Sequence, residues 1–173
     1  MADSYPTWGS GEDITADKLN AMIPKVVRKT ADESRINTTT PTADAELFFT
    51  LEANATYVFD GMIKYIADPA VDIAFDFTVP SGCLGEYGVL APGSGTSGVS
   101  ATTGYSIRTE SNDVAQARTY YGVTNAAMCA PIQGIIRNGG TAGNHTFVWN
   151  PNASSATETV VYTDSWFRYQ RIG

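Results

Sequence analysis

Val71-Asp-Ile-Ala-Phe-Asp-Phe-Thr-Val79 alternates apolar with mostly polar or small residues along its whole length. Successive side chains of a strand point to opposite faces, so Val71, Ile73, Phe75, Phe77 and Val79 share one face, and Asp72, Ala74, Asp76 and Thr78 the other. That pattern is a half-buried β-strand, and Pro80-Ser-Gly closes it. The preceding segment, 56–67, has the same period: Tyr57, Phe59, Ile63 and Tyr65 point one way, Asp60 and Lys64 the other, and Gly61 is the place for a bulge. Further upstream Leu47, Phe49 and Leu51 share a face before the turn Glu52-Ala-Asn-Ala, and Lys25-Val-Val-Arg-Lys begins the periodicity of two.

Downstream, 82–104 is rich in Gly, Ser and Thr and reads as a long exposed loop flanking one short strand near Tyr87–Leu90. Loops of that length are either binding surfaces or disordered. Strands resume around 105–108, 115–121, 132–137, 146–149, 157–162 and 166–172. Roughly ten strands separated by turns predict an all-β, antiparallel double sheet. Before them, Thr15 caps a short helix whose Leu19, Met22 and Ile23 recur at helical spacing until Pro24. Asp17 complements the helix dipole. The chain thus divides into an N-terminal segment, 1–24, and a β-sandwich, 25–173. So short a helix needs a surface to dock on, either its own β domain or a neighbouring protein.

A length of 173 residues suits one domain with a short appendage. Eleven basic against 18 acidic residues, a net charge of −7, leave no basic stripe for nucleic acid. No apolar run is long enough to span a bilayer, and the N-terminus has no signal-peptide pattern. Cys83 and Cys129 lie in no metal-binding spacing and read as plain thiols. The sequons at Asn37, Asn54, Asn144 and Asn152 read as chance matches, given the absence of an export signal.

Chemistry is sparse. His145, the single histidine, lies beside Gly143 and Asn144 and reads as a surface turn residue; a metal site or a serine triad would need partners it lacks. Asp72 and Asp76 would sit about 13 Å apart along one strand face, too far to hold one ion together. Gly93-Ser-Gly-Thr-Ser-Gly lacks the lysine and strand-to-helix setting of a phosphate loop. No catalytic residue, metal ligand or cofactor is assigned, so the expected protein is not an enzyme. Among tyrosines near turns, Tyr87 and Tyr105 are the candidate ring platforms for a sugar.

Three colinear segments carry a resemblance: Trp8-Gly-Ser-Gly-Glu-Asp-Ile-Thr-Ala-Asp-Lys-Leu-Asn; then Val26-Val-Arg-Lys-Thr through Leu47-Phe-Phe-Thr-Leu and Tyr57-Val-Phe-Asp-Gly to Asp72-Ile-Ala-Phe-Asp-Phe-Thr-Val-Pro-Ser-Gly; and Gly143-Asn-His-Thr-Phe-Val-Trp through Ser165-Trp-Phe-Arg-Tyr-Gln-Arg-Ile. Together they resemble small β-structured virion proteins of actinobacteriophages, of the minor tail, fibre or capsid-decorating kind. The resemblance covers more than half the chain and leaves out 82–131. It implies a jelly roll similar to the tumour-necrosis-factor and C1q type, homotrimeric, in the virion, attached to the major capsid or another virion protein. Trp8, Leu19, Met22 and Ile23 are then the expected anchor. A jelly roll with apolar residues on both strand faces, as in Tyr57/Phe59 against Val58/Met62, has more apolar surface than one sandwich interior needs, which also favours self-association. The alternative expectation is a receptor-recognition module binding host-surface glycans through the 82–104 loop.

Overall fold

The computed structural model describes residues 8–92, 107–108 and 111–173. One helix, α1 (Ala16–Met22), precedes β1 (Lys25–Arg28), β2 (Glu33–Arg35), β3 (Thr42–Leu51), β4 (Thr56–Ala67), β5 (Ile73–Thr78), β6 (Leu84–Val89) and β7 (Ala91–Pro92). There follow β8 (Ile107–Arg108), β9 (Asn112–Asp113), β10 (Arg118–Tyr120), β11 (Val123–Arg137), β12 (Gly143–Pro151), β13 (Thr159–Val161) and β14 (Trp166–Arg171). All strand pairs are antiparallel.

An eight-stranded sheet runs β1-β14-β4-β11-β6-β9, with β13 bridging β2 and β4, and a four-stranded sheet runs β10-β5-β12-β3. The chain crosses between them repeatedly: β3 to β4, β4 to β5, β5 to β6, β10 to β11, β11 to β12. Neighbours within a sheet are therefore distant in sequence, as in an antiparallel β-sandwich whose strands alternate between two sheets. The two inner faces meet in one core. Tyr57, Phe59, Ile63 and Tyr65 of β4 face Ile73, Phe75 and Phe77 of β5, as the alternation dictates. Phe59 and Phe77 meet edge to face at 5.7 Å, and Tyr65 and Phe75 at 5.5 Å, a favourable ring geometry.

Four expectations need correction. Asp72 is not in the strand: it has φ 61° and its carboxylate accepts the Gly122 N–H, so β5 begins one residue later. Gly61 marks no bulge, because its register with Ile132 and Phe167 is regular. A Cβ there would lie 2.2 Å from the Trp166 carbonyl oxygen, so the glycine lets two strands close up. The 82–104 segment is not a loop at its start, since 84–89 and 91–92 are strands; residues 93–104 lie outside the described ones. And β11 begins at Val123, well before the expected 132, and runs through Pro131. Pro131 is tolerated just past the end of the β6 ladder, where its carbonyl still accepts the Leu90 N–H.

Candidate functional site

The strongest site is a face rather than a cleft. The four-stranded sheet turns a mixed surface outward: Thr50 and Asn144 hydrogen-bond across β3 and β12, Thr78 pairs with Thr146 across β5 and β12, and Phe48 of β3, opposite Thr146, is 40% exposed. The outer face of the eight-stranded sheet differs. Register aligns Trp166 of β14, Met62 of β4 and Pro131 of β11 in one row, and Leu90 follows Pro131. Two residues along, Arg168 and Asp60 form a bidentate ion pair (2.9 and 3.0 Å) between Val26 and Gln133. Beyond that, Val58, Ile135 and Glu86 form a third row. Val26, opposite Arg168 on the edge strand, is 61% exposed, and Leu90 48%. An antiparallel sheet with one face in the core normally shows solvent a polar second face. Here Trp166, Met62, Pro131, Leu90, Val58 and Ile135 share the outer face with the Arg168–Asp60 pair, Arg28, Gln133, Gln170 and Glu86, a mixture of apolar and charged groups that suits an interface.

The N-terminal segment is the second element. Thr15 caps α1 by accepting the Lys18 N–H at 3.3 Å, as its sequence predicts. No residue of α1 is buried: Leu19 is 48% exposed, Met22 36% and the following Ile23 59%. Trp8 is 39% exposed and lies under the Lys18 ammonium, 5.1 Å from its ring centre. The Met22 carbonyl accepts a hydrogen bond from Gln170 of β14, which brings the segment to the rim of the apolar sheet face. All four residues expected to form the anchor are thus exposed in the single chain.

The expected sugar platform does not form at Tyr87. Its ring is 1% exposed, packs edge to face on Phe77 at 5.1 Å, and its hydroxyl donates to the Gln116 carbonyl at 2.7 Å. Gly85, Tyr87 and Val89 all face the core, so this tyrosine is a structural residue. Burial also holds its phenol well above the ordinary tyrosine range. Tyr105 lies outside the described residues. Cys83 and Cys129 are both free thiols, and burial beside Asp113 pushes the Cys83 thiol up, away from the reactive thiolate. Among the described residues no group of three or more His, Cys, Asp or Glu side chains is placed to hold a metal ion.

His145 is the largest departure from expectation. It is an inward residue of β12, not a turn residue, and is 0% exposed. Its ring stacks on Phe77 at 4.3 Å and touches Phe49 and Phe59 at 4.8 and 5.0 Å. Among the described residues neither ring nitrogen has a hydrogen-bond partner, and desolvation lowers its pKa to about 3. It is a neutral core aromatic, with no route to a substrate.

A second cluster was not anticipated. Lys29, Asp44 and Arg35, all buried, gather with Glu33 at the end of the sandwich where the β1–β2 connection meets β3. The Arg35 guanidinium lies 3.7 Å from the centre of the Trp149 ring and donates to the Trp149 and Thr42 carbonyls.

The fold and its exposed faces define an antiparallel β-sandwich protein with a short N-terminal helix. No family model and no curated protein matches the chain. Two solved structures are similar at a low level. That of infectious bursal disease virus Gt strain is 12% identical over 96% of this chain and 45% of the other, with a TM-score of 0.18. That of the Gx strain is 12% identical over 85% of this chain and 38% of the other, with a TM-score of 0.17. The chain spans less than half the length of either.

Proposed function

We propose that this chain is a non-enzymatic structural protein of a virion, a homotrimeric jelly roll that decorates the capsid or forms part of a fibre or tail appendage. The observation that supports self-assembly is the set of exposed or half-exposed apolar side chains, Val26, Val58, Met62, Leu90 and Trp166, gathered on the outer face of the eight-stranded sheet around the Arg168–Asp60 pair. Packing that face around a three-fold axis covers Val26, Trp166, Met62 and Leu90 and leaves the four-stranded sheet in water, in keeping with the closed symmetry of most homo-oligomers. The virion role itself rests on the resemblance of the three segments quoted above. Of the two tyrosines expected to bind a glycan, Tyr87 is in the core, which removes it from the alternative reading, and Tyr105 lies outside the described residues.

Light scattering is expected to show three chains per particle, and the double variant Val26→Glu/Leu90→Glu to be monomeric with an unchanged melting temperature. Both positions are exposed in the single chain, so added charge acts on the interface alone. A wild-type protein that stays monomeric at high micromolar concentration overturns the trimer. Removing residues 1–24 is expected to leave the β domain folded and trimeric but to abolish incorporation into particles. Normal incorporation of the truncated chain would remove the anchor.

A further inference from the structure

Lys29 and Asp44 are an amine and a carboxyl group held in contact where water does not reach. Their side chains are 2% and 0% exposed, and Lys29 Nζ lies 2.8 Å from Asp44 Oδ2. Each remaining valence of the pair is occupied in a way that favours chemistry between them. Asp44 Oδ1 accepts the backbone N–H groups of Glu46 and Leu47 at 3.0 and 3.1 Å, so negative charge developing on that oxygen meets two preformed donors. Asp44 Oδ2 also accepts the Trp149 indole N–H at 3.3 Å. Lys29 Nζ donates to Glu33 Oε2 at 3.1 Å, and Arg35 holds the other oxygen of that carboxylate. Glu33 therefore presents one free-facing oxygen to the amine, whereas Glu46, 4.0 Å away, is turned to the hydroxyl and N–H of Thr30.

We propose that Lys29 and Asp44 condense to an intramolecular amide, with Glu33 as the proton relay. One proton of the Lys29 ammonium passes to Asp44 Oδ2, which leaves a neutral amine beside a neutral carboxylic acid. The nitrogen lone pair attacks Asp44 Cγ to form the C–N bond, and the carbonyl electron pair moves to Oδ1, where the Glu46 and Leu47 N–H groups receive it. Glu33 takes a proton from the nitrogen and passes it to Oδ2. The C–Oδ2 bond breaks, the carbonyl re-forms on Oδ1, and Oδ2 leaves as water. Glu33 ends as the carboxylate it began as, and one ammonium and one carboxylate have become one amide and one water with no further reactant. Burial drives the reaction in this direction, because a buried ion pair is costly and a neutral amide is less so. Fixed contact supplies the rest: well-oriented intramolecular partners behave as if at effective concentrations of about 10⁵–10⁸ M. Glu33 is partly open to solvent, which gives the released water an exit. The product would tie the β1–β2 connection covalently to β3, a fitting device for a protein that serves in a particle.

Mass spectrometry of the purified wild-type chain under denaturing conditions decides the matter without any variant. The expected mass is one water below that of the sequence, and the peptide map shows one branched peptide joining Lys29 to Asp44, with no Lys-specific cleavage after residue 29. Lys29→Met and Asp44→Ala are expected to show the full sequence mass, and Glu33→Gln to slow the loss of water at least tenfold. A wild-type chain that keeps its full mass after prolonged incubation of the folded protein overturns the proposal, as does a lost water that maps to any other pair.

Discussion

Measured against the chain whose Lys29 and Asp44 are still an ion pair, before any condensation, replacing Asp44 by alanine is expected to destabilise the fold by about 3–5 kcal/mol, more than any single change on its surface. The carboxylate is fully buried and accepts four hydrogen bonds: from Lys29, from the Trp149 indole and from the backbone of Glu46 and Leu47. Alanine strands the indole and the two backbone N–H donors and leaves the buried Lys29 ammonium with Glu33 as its remaining hydrogen-bond partner. The asymmetry is the physical point, since a buried pair adds little over two apolar residues while half of one is very costly. The double variant Lys29→Met/Asp44→Leu is therefore expected to recover part of the loss, because it removes the stranded charge together with its partner. Urea unfolding is the measurement: the single variant lowers the midpoint with the slope unchanged, and the double variant moves it back. A midpoint for Asp44→Ala within about 1 kcal/mol of wild type would mean that Lys29 escapes to water and that the buried cluster is not a unit.

The same cluster shows where reading a sequence stops. The sandwich was legible because its decisive signal is local: Val71–Val79 and 56–67 alternate within a few residues, and alternation needs no knowledge of the partner strand. Thr15 and Pro24 bounded the helix for the same reason. Lys29, Glu33 and Asp44 carry no such signal. They lie on separate elements, and nothing in a lysine's neighbours along the chain tells that its ammonium is buried against a carboxylate fifteen residues away. Tyr87 was misplaced because its alternation partners are Gly85 and Val89, and a glycine hides an inward position. His145 was misplaced by the turn-like Gly143-Asn144, although His145, Phe147 and Trp149 recur at a spacing of two, the signal that places the ring inside. The apolar sheet face was half legible. Val58 and Met62 stood out on β4, but only strand register brings Trp166 and Pro131 beside Met62.

Acid is expected to weaken this fold beginning near pH 6.5, earlier than carboxylate titration alone would do, and His145→Leu to abolish that early loss. In the unfolded chain the imidazole takes up its proton near 6.5, whereas in the aromatic pocket of Phe49, Phe59 and Phe77 it does so only at about 3. Between those values the unfolded state carries the extra proton, so stability rises with pH and is lost as pH falls. The slope approaches about 1.4 kcal/mol per unit, which amounts to ~2.7 kcal/mol by pH 4.5. Carboxylates enter lower. Glu33 and Glu46 are held below the usual range, Glu33 by Arg35 and Lys29 against its own burial and Glu46 by Thr30, and their contribution is lost below about pH 4.5. At neutral pH two effects of leucine nearly cancel. Removing two unpaired nitrogens gains about 1–3 kcal/mol, and losing the ring contacts costs about 0.5–1.5 kcal/mol. The discriminating measurement is hence the difference between wild type and variant in denaturant midpoint, followed from pH 7 to pH 4.5. It should widen steadily in favour of leucine as the pH falls. A constant difference across that range would place the His145 ring in contact with water or a partner group, in conflict with its burial among the three phenylalanines.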